Sequence, residues 1–249
     1  MLNSLFTPFA STPATLHFDP DTPSQIEGFT LHYDARTLNV RVDEVEEGKS
    51  IEIEIDSFHN ILGPHMVEVA KGRWVIEYCG LGRSTHSATV VDDRFLLFSA
   101  LPSHDDAKAV LQLVDEIIRI HQRYTTMLKS LVDKHSHALW CEGKDESSSL
   151  HLHGRRGNVS VYKAHHMALV YIQSDDEPPL FEQYLSREFA PASKQNPYSS
   201  YVLSCGGQHF PGAQYVENEI YMFSFHFPED EAQIRMLVDA VVEVVRAHT

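Results

Sequence analysis

The sequence predicts an α+β protein built from two tandem copies of an antiparallel-sheet domain, each closed by a C-terminal helix. Three observations predict it. Segments of the first half recur in the same order in the second half. The run Ile51-Glu52-Ile53-Glu54-Ile55-Asp56 alternates strictly, which is the period-2 signature of a strand with one wet face. Two amphipathic stretches, each with acids in its first turn, stand at the ends of the two halves.

The repeat comes first, because self-similarity fixes the architecture before any local reading does. Leu97-Phe98-Ser99-Ala100-Leu101-Pro102 matches Met222-Phe223-Ser224-Phe225-His226-Phe227-Pro228, and Val114-Asp115 matches Val238-Asp239. Upstream, Trp74 to Gly80 matches Tyr201 to Gly206. Leu31-His32 through Asn39-Val40-Arg41-Val42 matches Leu150-His151 through Asn158-Val159-Ser160-Val161. Met1-Leu2-Asn3-Ser4-Leu5 echoes Met127-Leu128-Lys129-Ser130-Leu131. The offsets stay between 119 and 127. The expected domains are therefore residues 1–124 and 125–249, each of ordinary single-domain size.

Within the first copy the expected strands are Thr15 to Phe18, Phe29 to Tyr33, Leu38 to Val42, Ile51 to Asp56, Arg73 to Cys79 and a long one from Ser87 to Ser99, turning or bulging near Asp92-Asp93. Phe58 to Ala70 is a short helix candidate interrupted by Gly63-Pro64. The second copy gives strands at Ala138 to Cys141, Ser149 to His153, Val159 to Lys163, Met167 to Gln173, Tyr201 to Cys205 and Gln214 to Phe227, with a helix at Leu180 to Phe189. Ser103 is the expected N-cap of the first closing helix, with Asp105 and Asp106 favouring the helix dipole. Its stripe is Val110, Leu111, Val114, Ile117 and Ile118. With no Gly or Pro between Ser103 and Gly143, this helix runs on to about Leu131 as a connector. The second closing helix has Glu229, Asp230 and Glu231 in its first turn, and its stripe is Ile234, Leu237, Val238, Val241, Val242 and Val245.

This order, with a terminal helix after an F-S-x-x-P or F-S-x-x-x-P turn and the stretch Gln208 to Phe225 before it, resembles the PsbP-like α+β fold. Within that class it resembles the effector-associated (Eag-type) chaperones of type VI secretion; type III secretion chaperones are a competing likeness. The resemblance implies binding of a protein partner, a secreted bacterial effector, rather than catalysis. An immunity protein that plugs a basic toxin is the neighbouring alternative.

Charge narrows the function classes. Lys+Arg total 20 against Asp+Glu 35, a formal net charge of −15. Nonspecific nucleic-acid binding needs a basic surface, and so does docking on anionic lipid. No apolar run reaches the ~18–20 residues of a membrane span, and the first residues lack the basic and apolar regions of a signal peptide. Three cysteines (Cys79, Cys141, Cys205) without a CxxC argue against a disulfide framework. A cytoplasmic location is expected.

No GxSxG, HExxH, P-loop or GxGxxG motif is present. Cys79-Gly80 and Cys205-Gly206 recur at matched positions, and with no cationic neighbour in sequence they read as buried strand-end thiols. His151-x-His153, with His135, His137, His165, His166, Asp175 or Asp176, offers a Zn²⁺ site only if the fold brings three of them together. The alternative function is therefore a His-based metal-binding enzyme. Between Asp43 and Asp56 seven acids face one Lys. Glu52 and Glu54 share a strand face opposite the isoleucines, with Glu46 and Glu47 in the preceding turn. A glycosidase pair needs one desolvated carboxyl, which an open strand face does not supply. The remaining readings are a solvated face or a docking surface for a basic partner. Phe6, Phe9, Tyr198 and Phe210 in turn-rich segments are candidate exposed aromatics, and Tyr198 and Phe210 join the acids as expected partner-binding residues. No cofactor is expected.

Overall fold

The computed structural model describes residues 13–18, 21, 26–33, 36–45, 48–55, 61–78, 81–91, 95–101, 103–142, 149–152, 157–164, 166–174, 179–188, 200–217 and 220–248. Its architecture is mixed α+β, with two α-helices and three antiparallel sheets among those residues. The chain divides into two compact units, Met1–His121 and Gln122–Thr249. No helix among the described residues is long and apolar enough to cross a membrane.

The first unit contains β1 (Ala14–Phe18), β2 (Ile26–Tyr33), β3 (Arg36–Val45), β4 (Gly48–Ile55), β5 (Met66–Ala70), β6 (Arg73–Tyr78), β7 (Gly82–Arg83), β8 (Thr89–Val91) and β9 (Phe95–Leu101). Six of these strands form one sheet, in the order β1-β2-β3-β4-β9-β8. Strands β5-β6-β7 form a small sheet, linked to it by one isolated bridge between Trp74 and Ala88. Alternation puts Phe29, Leu31, Leu38, Val40, Ile51, Ile53, Leu96 and Phe98 on one face, all buried.

Helix α1 (His104–Lys134) starts where Ser103 predicts it. The Ser103 hydroxyl accepts from the Asp106 backbone N–H at 3.2 Å and donates to the Asp106 carboxylate at 2.5 Å. Val110, Leu111, Val114, Ile117 and Ile118 are buried as the spacing requires. The Tyr33 hydroxyl donates to Asp115 at 2.5 Å, tying β2 to α1. The helix then continues past His121 into the second unit, ending one turn beyond the expected Leu131.

In the second unit, β10 (Leu139–Glu142), β11 (Ser149–Leu152), β12 (Gly157–Ala164), β13 (Met167–Ser174), β14 (Leu185–Glu188), β15 (Ser200–Cys205), β16 (Gln208–Tyr215) and β17 (Ile220–His226) make one sheet. Its order is β10-β11-β12-β13-β17-β16-β15-β14. In each unit the first four strands lie in chain order and the last strand follows the fourth. Helix α2 (Glu231–Ala247) buries all six residues of its predicted stripe against β12, β13, β15 and β17. It is also tied to the end of α1. Arg123 and Arg235 hold Glu231 at 2.6 and 2.8 Å, and Lys134 and His135 hold Asp239, each at 2.6 Å.

Several expected elements differ. Of the helix candidate Phe58 to Ala70, Phe58 to Asn60 lie outside the described residues and Ile61 is helical, but a 3-10 turn at Gly63–His65 and then β5 follow. Leu180 to Phe189 likewise gives a 3-10 turn at Glu182–Tyr184 and then β14. The expected strand from Gln214 to Phe227 resolves into the end of β16 and β17, while Ser87 to Ser99 divides into β8 and β9 on either side of Asp92-Asp93, where a turn or bulge is expected. One expected match is not kept by the register: Leu31 pairs with Leu38, whereas Leu150 pairs with Val161.

Candidate functional site

The residues that alternate with the buried set in the first unit project from the other face of the sheet. Register aligns Thr30, Asn39 and Glu54 across β2, β3 and β4, and Gly28, Arg41 and Glu52 beside them. Together with His17 and Glu27 these line a groove of about 360 Å³.

A hydrogen-bonded chain crosses four strands there. Asn39 Nδ2 donates to Glu54 Oε2 at 3.3 Å, and the Thr30 hydroxyl donates to Asn39 Oδ1 at 2.7 Å. With its proton committed, Thr30 Oγ1 is the acceptor for His17 Nε2–H at 2.6 Å. Arg41 pairs with Glu27 at 3.2 Å. Gly28 is required by close approach: a Cβ there would lie 2.4 Å from the Val40 carbonyl oxygen. The absent side chain leaves the floor of the groove open beside Arg41. The lining thus carries three carboxylates, one guanidinium and one imidazole.

Among the expected partner-binding residues, Glu52 and Glu54 are half-buried and line this groove. Glu46, Glu47 and Tyr198 lie outside the described residues. Phe210 corrects the reading of an exposed loop aromatic. It is 7% exposed, inside β16, paired with Leu203. Pro211-Gly212 imitates a turn, but Gly212 at φ +86° is accommodated within the strand, and the phenyl ring turns into the core. The residues sequence reasoning missed are His17, Glu27, Thr30, Asn39 and Arg41. The signal for two of them was present: Asn39 and Arg41 alternate with Leu38, Val40 and Val42.

The second unit has its own groove on the corresponding face, about 520 Å³, lined by Asn158, Ser160, Tyr162, Tyr171, Gln173 and Ile220. Asn158 pairs with Gln173, Ser160 with Tyr171, and Gln173 with Ile220. The rings of Tyr162 and Tyr171 meet edge to face with centroids 5.5 Å apart. None of these six residues carries a formal charge.

Among the described residues the histidines do not converge. His151 lies in β11 opposite Trp140, and His153 and His165 lie outside the described residues. His135 is buried against Asp239, and His166 stacks on His226. No group of three or more His, Cys, Asp or Glu among the described residues is placed to hold a metal ion. The Cys205 thiol is buried, and burial pushes its pKa up to about 11, the opposite of an activated nucleophile. Gly206 follows at φ +58°, supplying the turn. Cys79 lies outside the described residues, and Cys141 falls in β10. Burial, and then the bond to Asp115, push the Tyr33 phenol well above its usual range; Arg119 holds the other Asp115 oxygen at 2.7 Å. Burial alone lowers Lys163 to about 8.

No protein-family model matches the chain, and no match to a curated protein was found.

Proposed function

We propose that the chain is a tandem pair of copies of one α+β domain, acting as a non-enzymatic protein-binding protein that docks a basic partner on the open sheet face of its first unit. Register supports the tandem reading. The pair Asn39–Glu54 corresponds to Asn158–Gln173 with a shift of 119 residues on both strands. Thr89–Leu97 corresponds to Gln214–Met222 with a shift of 125 on both. Trp74–Ala88 corresponds to Tyr201–Ala213, with the alanine fully buried in each case. An experimental structure in which residues 10–121 and 137–248 fail to superpose refutes it.

The observation that carries the docking reading is the groove itself: Glu27, Glu52 and Glu54 gathered on one face of a chain whose net charge is −15. Arg41 pairs with Glu27, and the three carboxylates of the lining outnumber this one guanidinium. Such a surface steers a basic protein and sets the association rate more than the final affinity. By its resemblance to secretion chaperones, the partner is an exported effector and the setting is the cytoplasm.

Fluorescein-labelled decalysine is the probe. It should bind the full chain at low salt and weaken as salt rises. Glu52→Lys with Glu54→Lys should weaken it about tenfold or more. A matched control, Glu229→Lys with Glu243→Lys, shifts the net charge equally at exposed helix-end positions and should cost much less. Equal losses in the two double variants would mean that the probe reads global charge, and the groove would lose its role.

A further inference from the structure

We propose that the groove on the open face of the second sheet is a separate docking site, for an uncharged, proline-rich segment of a protein partner. The comparison with the first groove rests on the tandem reading; the lining of this groove stands without it.

The two grooves occupy corresponding places in register. Asn158 and Gln173 stand where Asn39 and Glu54 stand, Ser160 and Tyr171 where Arg41 and Glu52 stand, and Ile220 where Phe95 stands. The concavity is kept while the chemistry is exchanged. Arg41, Glu52 and Glu54 become Ser160, Tyr171 and Gln173, so every charge at these shared positions is lost on a chain of net charge −15. A surface serving solubility alone would not shed charge and gain tyrosines. Tyr162 is 39% exposed, and Tyr171 half-buried beside it.

The lining selects its occupant by what it offers. Tyr162, 39% exposed and packed edge to face with the half-buried Tyr171, offers aromatic surface to a flat, apolar group such as a pyrrolidine ring. Ile220 supplies an apolar wall. The carboxamides of Asn158 and Gln173, opposite each other in register, carry N–H donors for peptide carbonyls. A polyproline II segment presents unpaired carbonyls and, at each proline, no N–H that needs an acceptor. It is also already extended, so little ordering entropy is lost on docking, and aromatic-lined grooves recognise such segments for that reason. A charged peptide or a nucleic acid finds no counter-charge among the described lining residues. The volume of about 520 Å³ lies within the usual span of ligand clefts, ~300–1,000 Å³.

The test uses the full chain with fluorescein-labelled decaproline, followed by fluorescence anisotropy. Saturable binding is expected, nearly unchanged by salt between about 0.05 and 0.5 M, since no ion pair is screened. Tyr162→Ala should weaken it about tenfold or more. Gln173→Glu, which removes a donor at a position where the first unit already carries a carboxylate, should do likewise while leaving the fold intact. Glu52→Lys with Glu54→Lys should leave it unchanged. Absence of saturable binding up to about millimolar decaproline overturns the proposal. So does equal affinity for an alanine-rich neutral peptide, or binding that ignores both second-unit variants. Binding of maltopentaose that is lost in Tyr162→Ala, without binding of decaproline, overturns it in favour of a glycan site. Failure here with decalysine binding intact removes this site and leaves the first groove standing.

Discussion

Truncating Leu237 to alanine tests whether α2 closes the core of the second unit. Leu237 is fully buried at the middle of α2, between Ile234 and Val241 on the face that meets β12, β13, β15 and β17. Leu→Ala at such a site loses the transfer free energy of the removed groups and leaves a cavity, about 3 kcal/mol within a range of about 2–5. For a unit the size of Gln122–Thr249, 1 kcal/mol corresponds to about 4 °C, so the midpoint should fall by about 12 °C. Leu237→Asp adds an unpaired carboxylate to an apolar stripe, several kcal/mol more, against a total of only about 5–15. The unit should then be largely unfolded near 37 °C. Met236, the next residue, is 44% exposed, and Met236→Ala should change stability by less than about 1 kcal/mol. The chain has two tryptophans, Trp74 in the first unit and Trp140 in the second. In a Trp74→Phe background, Trp140 fluorescence on heating reports the second unit alone. Equal midpoints for Leu237→Ala and Met236→Ala would refute the packing argument.

Acid should weaken the link between α1 and α2. Burial raises the Asp239 carboxyl, but the bonds from Lys134 and His135 outweigh it and hold the group below its ordinary range. A depressed carboxylate contributes its stability above the unfolded pKa of about 3.9 and loses it as pH falls through the lower folded value. Urea midpoints should therefore drop on acidification below about pH 4, and Asp239→Asn should flatten part of that limb; an unaltered limb would deny the pairing its role. Native Cys205 should resist iodoacetamide at pH 8 and react once urea unfolds the chain, as read by peptide mass mapping; rapid native labelling would contradict its burial. Gly28→Ala should lower stability by more than about 1 kcal/mol, because the new Cβ meets backbone rather than a yielding side chain. A melting temperature equal to that of the parent would show that β2 and β3 separate freely.

The parts of the fold legible in the sequence were those where one local signal acted alone. Ile51 to Ile55 alternates cleanly and is β4. The two predicted helices combine capping acids with long apolar stripes, and both formed. Leu180, Phe181, Tyr184 and Leu185 imitate a helix face at the spacing of one turn, but they span a 3-10 turn and the first residue of a strand. Met66 to Ala70 carries Val67 and Val69 about Glu68, a strand pattern hidden by the preceding Gly63-Pro64. In the first groove, Glu52 and Glu54 were visible because they sit on that one alternating strand. Their companions arrive from β1, β2 and β3, and which residue faces which is fixed by register, which a single strand does not encode. Phe210 misled because Pro and Gly usually mark a turn, whereas here they lie within β16.

The join between β6 and β8 in the first unit differs from that between β15 and β16 in the second. In the second unit β15 and β16 are laddered from Cys205–Gln208 to Ser200–Gln214. In the first, Trp74 and Ala88 exchange two backbone bonds, of 2.9 and 2.6 Å, with the Ser84 N–H bonded to the Ile76 carbonyl at 2.7 Å nearby. The leaf formed by β5, β6 and β7 is therefore kept in place chiefly by the burial of Val75, Ile76 and Tyr78 rather than by a hydrogen-bond ladder. Apolar burial weakens on cooling, while a ladder does so far less. Chilling should thus loosen the first unit at a seam that the second unit has stitched shut, and the first amides to exchange in the cold should belong to β6.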